Sequence, residues 1–168
     1  ESKRLGARTL AIVNVVGSTI ANEADDVLYT WAGPEIAVAS TKAYTTQLGV
    51  MYLLCLQLAQ LLGRVSDAEY DRYIAEHQRI PAKMEAILQD KEKIQYCASR
   101  YFSAKDIFFI GRNFDYAVAM EASLKLKEIS YMHSEAYAAG ELKHGTISLI
   151  EEGTPVVALA ANRRLYEK

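Results

Sequence analysis

Apolar residues run along this chain in two rhythms. Compact runs rich in β-branched and aromatic side chains, Thr9 to Val15, "DVLYT" at 26 to 30, "DIFFIGR" at 106 to 112 and "TPVVALA" at 154 to 160, read as buried strands. Between them apolar residues recur at helical spacing. Ser40 to Leu62 predicts one long helix, with Ser40 or Thr41 as N-cap and Gly63 as its stop. Residues 66 to 103 are rich in helix formers with charges of both signs, and predict a helical connector broken near Pro81. A further helix is expected from about Phe114 through Tyr131. Strands alternating with helices predict an α/β fold, a parallel sheet covered by helices on both faces. Gly6 reads as the C-cap of a helix already under way, and "NRRLYEK" reads as the opening of another. The pattern therefore predicts a piece of something larger, incomplete at both ends.

Composition adds exclusions. With 168 residues the chain is long enough for a sizeable core, and 51% hydrophobic with 24% charged residues is ordinary for a folded globular protein. A formal net charge of -2, with basic residues spread along the chain, offers no footprint for nucleic acid. The most apolar stretch, "LGVMYLLCLQLAQLLG", is interrupted by Gln57 and Gln60, short of the roughly 18 apolar residues of a membrane span. It predicts a buried helix, not a membrane protein. The two cysteines, Cys55 and Cys97, have neither metal-ligand spacing nor a disulfide framework, which fits a reducing cytoplasm. No secretory signal is visible.

The chemistry concentrates in "ASLKLKEISYMHSEAYAAGELKHG", residues 122 to 145. On a helix Glu121, Lys125 and Glu128 stand four and three positions apart and share a face, a carboxylate, an ammonium and a second carboxylate in one row. Such rows are commonly solvated ion-pair ladders. Here Ala122, Leu124, Leu126, Ile129 and Tyr131 leave little of the circumference free to be wet, so the row is a candidate pocket lining. A carboxylate beside a cation suits a general base that takes a proton from carbon, which makes Glu128 the candidate base. His144, just before an apolar run, is a candidate proton shuttle; His133 and His77 read as structural. In "WAGPEIAVASTKAYTTQL" a loop leads into a helix start rich in hydroxyls. There the backbone N–H groups and Ser40 or Thr41 either receive an anion or a sugar oxygen, or serve only as a cap. Gly111 reads as the residue that lets the backbone turn sharply from strand to helix. No dinucleotide fingerprint, phosphate-binding P-loop or zinc pattern occurs.

"EASLKLKEISYMHSEAYAAGELKHG" together with "AGPEIAVASTKAYTTQL" resembles the isomerase part of the glutamine–fructose-6-phosphate aminotransferases, over nearly the whole chain. The resemblance implies sugar-isomerase (SIS) domains of flavodoxin-like architecture. Residues 1–64 would be the back part of a first SIS domain, and residues 65–168 a helical connector and the front part of a second. It implies an enzyme that makes glucosamine 6-phosphate from fructose 6-phosphate and glutamine, with no metal or organic cofactor. Glu128 would move the proton between C1 and C2, Lys125 would sit beside it, Glu121 would support the pair, and the Val38 to Ser40 segment would lie against the sugar. His144 would help open the sugar ring from across the interface of a symmetric homodimer. A glutaminase domain, a phosphate loop before Glu1 and a Schiff-base lysine beyond Lys168 would complete the parent. The 168 residues alone are therefore expected to be inactive and to self-associate. The alternatives are a non-catalytic phosphosugar-binding SIS module of a regulator, which needs no base or proton shuttle, and a SIS isomerase without a glutaminase.

Overall fold

The structure, a computed structural model, describes residues 1–165. Two compact units are present, Glu1–Gln89 and Asp90–Lys168.

In the first unit β1 (Leu10–Val13) and β2 (Asp26–Tyr29) pair in parallel, Leu10 opposite Asp26 and Val13 opposite Tyr29. The crossover between them carries the five-residue helix α1 (Thr19–Glu23), capped by the Ser18 hydroxyl accepting from the Ala21 N–H. α1 is too short to produce a helical rhythm in the sequence. At the start of the pair Arg8 grips Asp26 with two hydrogen bonds, 2.7 and 3.0 Å, and Asp25 Oδ2 accepts from both the backbone N–H and the hydroxyl of Thr9. Three helices follow, α2 (Lys42–Leu61), α3 (Asp67–Gln78) and α4 (Ile80–Gln89). Gly63, at φ +64°, ends α2 where the sequence predicts its stop. Ser66 and Glu69 form a capping box that starts α3. The predicted break falls at Arg79, and Pro81 sits in the first turn of α4, where its missing N–H leaves no helical hydrogen bond unmade.

α2 corrects one expectation. The helix forms, but none of its residues is buried, and Met51, Tyr52, Leu58 and Leu61 are exposed. Its apolar residues extend most of the way round the cylinder, and within this unit it packs mainly against α3 and β1. Periodicity defines a helix, whereas burial depends on what is packed around it.

The second unit opens with α5 (Lys91–Tyr101) and then runs β3 (Asp106–Gly111), α6 (Phe114–Ser130), β4 (His133–Ala138) and β5 (Val156–Ala158). Short 3-10 turns at Leu142–His144, Thr146–Leu149 and Arg163–Leu165 punctuate the rest. Of the helix expected over "NRRLYEK", the first residues form the last of these turns and 166–168 lie outside the described residues. All three strands are parallel in the order β4-β3-β5, with Asp106 opposite His133 and Phe108 opposite Val156. Ile107 and Phe109 of β3 meet Ala119 of α6 in the core, flanked by Leu126, Met132, Ala136 and Leu159. Phe108 points to the other face, as strand alternation requires, and is only 3% exposed; its ring stacks with Tyr137 at 6.2 Å. The parallel sheets flanked by helices are the fold that the strand and helix rhythm predicts.

Two contacts fix α6 on this sheet. Ser134 of β4 donates to the backbone carbonyl of Ser123, 2.9 Å, and the two buried hydroxyls lie 3.0 Å apart, so each polar group is satisfied. At the strand end, a Cβ added to Gly111 would stand 2.4 Å from the Asp115 carbonyl carbon. Gly111 thus serves close approach of strand and helix, and the left-handed turn falls two residues later, on Asn113 at φ 52°. Gly111→Ala is expected to cost on the order of 1–3 kcal/mol of stability, as overpacking does, measured by chemical denaturation. An unchanged denaturation midpoint would show that α6 yields freely at this point.

Candidate functional site

α6 carries the charged row. Lys125 Nζ is hydrogen-bonded to Glu128 Oε2 and lies 3.5 Å from Glu121 Oε1, so one ammonium bridges the two carboxylates on a single helix face. The side chains of Lys125, Glu121 and Glu128 are 19%, 22% and 27% exposed, so the row is half-buried. The Lys125 ammonium is held above its usual range, first by the hydrogen bond it donates to Glu128. Burial works against this, and the attraction of both carboxylates adds to it. Chemically the row is a partly enclosed carboxylate, Glu128, beside a fixed positive charge.

The other predicted site residues are placed as follows. His144 closes the 3-10 turn Leu142–His144; it is exposed, its N–H donates to Glu141 O, and among the described residues no ion pair or hydrogen bond joins it to the row. Val38 is 92% exposed, and Ser40 is half-buried at the entrance to α2. Both belong to the first unit, whereas the row belongs to the second.

At the start of α2 the expected cap is replaced. Thr41 occupies the N-cap position without a side-chain cap hydrogen bond. Instead Glu35 Oε2 accepts from the Ala43 N–H at 3.1 Å, the Thr41 N–H at 3.3 Å and the Ser40 hydroxyl at 3.4 Å. The anion at this helix start is the chain's own. The Glu35 carboxyl is held below its usual range, first by the Ala43 N–H, then by the Thr41 N–H and the nearby Lys42 charge, against the opposing effect of burial. Glu35 carries no signal of this role in the sequence, because a cap that reaches forward eight residues through a loop has no periodic pattern.

A second cluster has no local signature in the sequence. On the face of β4 turned away from α6, His133 Nδ1 lies 2.7 Å from Asp106 Oδ1 and its Nε2 lies 3.7 Å from Glu135 Oε1, while the Tyr137 hydroxyl donates to Glu135. That bond to Glu135, with burial, raises the Tyr137 phenol above its usual range. The His133–Asp106 contact thereby joins the first residues of β3 and β4. A cleft of about 250 Å³ opens at the carboxyl ends of the strands, lined by Gly111, Arg112, Asp115, Ala139, Ala158 and Asn162. None of the row lines it. Among the described residues no helix is long and apolar enough to cross a membrane, and no cluster of three or more His, Cys, Asp or Glu is placed to hold a metal ion.

A parallel sheet with this helix packing is shared with proteins of known family. The SIS domain matches residues 1–57 and 100–168, and the chain belongs to that family. Its sequence is 60% identical over 168 residues to the glutamine–fructose-6-phosphate aminotransferase (isomerising) of Caldanaerobacter subterraneus subsp. tengcongensis, covering 100% of this chain and 28% of that protein. The enzyme of the same name from Methanosarcina acetivorans is 52% identical over 160 residues, 95% of this chain and 26% of its own length. Among solved structures, the C-terminal domain of glucosamine–fructose-6-phosphate aminotransferase from Francisella tularensis superposes with a TM-score of 0.89 at 39% identity, covering 94% of this chain and 44% of that one. Glucosamine-6-phosphate deaminase from Thermotoga maritima, at 24% identity and a TM-score of 0.72, shares the fold. The chain thus spans little more than a quarter of the length of the curated relatives it matches.

Proposed function

We propose that this chain is the isomerase part of an enzyme that converts fructose 6-phosphate and glutamine to glucosamine 6-phosphate and glutamate. The observation that carries the reading is the Glu121–Lys125–Glu128 row, assembled and partly enclosed on α6 in a chain 60% identical to enzymes of that name. Aldose–ketose interconversion requires a proton to leave one carbon and return to its neighbour, and a carboxylate in a partly desolvated site is suited to carry it. Glu128 takes that role. Lys125 compensates the charge of the row and orients Glu128, and Glu121 holds Lys125 from the other side. Val38 and Ser40 contact the sugar, and His144 assists ring opening from the neighbouring subunit of a homodimer. The glutaminase domain of the parent supplies ammonia, and the reaction runs in the cytoplasm, where the exposed free thiols Cys55 and Cys97 remain reduced. Glu128 and His144 together favour this reading over a regulatory phosphosugar sensor, which binds its ligand without moving a proton.

The test is glucosamine 6-phosphate formation by the purified full-length protein. With fructose 6-phosphate and glutamine, stoichiometric glucosamine 6-phosphate and glutamate are expected. Binding of fructose 6-phosphate with no product from either glutamine or ammonia would return the chain to the sensor class.

A further inference from the structure

The charged row occupies one side of α6, and what sets the direction in which that side faces lies on the other. On a helix of about 3.6 residues per turn, Ser123 stands about 140–160° round the cylinder from Glu121, Lys125 and Glu128. It is 2% exposed and faces the sheet, where it meets Ser134 of β4, 1% exposed. The proposed mechanism uses neither hydroxyl.

The number of protons settles which group donates. Ser134 donates to the backbone carbonyl of Ser123 at 2.9 Å. A hydroxyl has a single hydrogen, so at the 3.0 Å contact between the two oxygens Ser123 is the donor and Ser134 the acceptor. Two residues of the same kind thus hold different things. Ser134 holds the backbone of α6, at the carbonyl that helix geometry also assigns to the N–H of Lys127, the neighbour of Glu128. Ser123 adds only a bond between side chains.

The neighbours on this face, Ala119 and Leu126 of α6 and Ala136 of β4, are apolar, and apolar contact has no preferred direction. Gly111 sets the approach of α6 to the sheet at its first turn, around Asp115. A helix held at one end is still free to roll and slide farther along. The Ser134 bond removes that freedom inside the span of the row itself, because a hydrogen bond weakens steeply as its distance and angle leave their optimum.

We infer that Ser134 is a positioning residue for the proposed isomerisation: its hydrogen bond to the Ser123 carbonyl fixes the roll and axial position of α6, and so holds Glu128 where proton transfer to and from the substrate carbon needs it. The inference rests on the function proposed above. A misplacement of about 1 Å costs on the order of 10²-fold in rate, so a shift of a fraction of an ångström is worth about tenfold.

The experiment measures glucosamine 6-phosphate formation by the full-length wild type, S134A, S123A and S134C, with denaturation midpoints taken on the same samples. S134A and S123A each remove one buried hydroxyl, and both are expected to lower the midpoint by similar amounts. A purely structural role makes their turnover fall alike as well. Positioning separates them: S134A is expected to lose about tenfold in kcat with its KM for fructose 6-phosphate within about twofold, whereas S123A, which leaves the carbonyl bond in place, keeps kcat within about twofold of wild type. Ser134→Cys offers only a weak donor at nearly the same shape, so it is expected to behave as S134A, and it decides the matter if S134A fails to fold. Normal kcat in the folded Ser134 variants, equal losses in S134A and S123A, or a loss that falls on KM instead would overturn the inference and leave the isomerase reading standing. A wild-type protein that makes no product removes both.

Discussion

Replacing Glu128 by Gln in the full-length protein is expected to lower isomerisation by about 10²–10⁴-fold, the range typical of losing a general base, while fructose 6-phosphate still binds. The substitution keeps the shape of the side chain and its capacity to hydrogen-bond. Lys125 keeps Glu121 as an ionic partner, 3.5 Å away in the native row, so the helix face does not lose its charge compensation altogether. A drop in turnover with little change in substrate binding therefore isolates proton transfer. Glu121→Gln is the control, because it weakens the same ion-pair row and leaves the proposed base in place. If Glu128→Gln and Glu121→Gln behave alike, or if turnover in Glu128→Gln is near normal, the row is only an ion-pair network on the surface of α6.

That the row could be found in the sequence at all reflects its geometry. Four- and three-residue spacings are local, and any helix through residues 121 to 128 brings the three groups together. The same locality made β1, β2, β3, β5, α2 and the break near Pro81 legible, since each is a compact apolar run or a cap signal. β4 was not, because its α6-facing positions are the small Ser134 and Ala136 and its other face carries His133, Glu135 and Tyr137, so the alternation reads as a polar segment. The contacts that give these residues meaning are remote: His133 meets Asp106 across 27 positions, and Ser134 meets Ser123 across 11. Glu35 was hidden for a related reason, as its partners lie five to eight residues away through an irregular loop. The exposure of α2 is likewise a property of what surrounds it and has no local signature.

His144 stands exposed on its 3-10 turn, and among the described residues no hydrogen bond or ion pair joins it to the row. If it serves the row of a partner subunit, each functional site combines Glu128 from one chain with His144 from the other, and two inactive variants can repair each other. The measurement mixes full-length Glu128→Gln and His144→Ala proteins in equal amounts under conditions where subunits exchange. In a mixed dimer, one site receives both lesions and the other receives none. Random pairing makes half the dimers mixed and leaves half their sites intact, so activity is expected to return to roughly a quarter of wild type. The recovery has to grow with the extent of exchange and vanish when the two dimers are cross-linked before mixing. Were His144 to serve its own chain, every site in every dimer would carry one lesion and no activity would return, and His144 would then have to reach Glu128 by a rearrangement within one subunit.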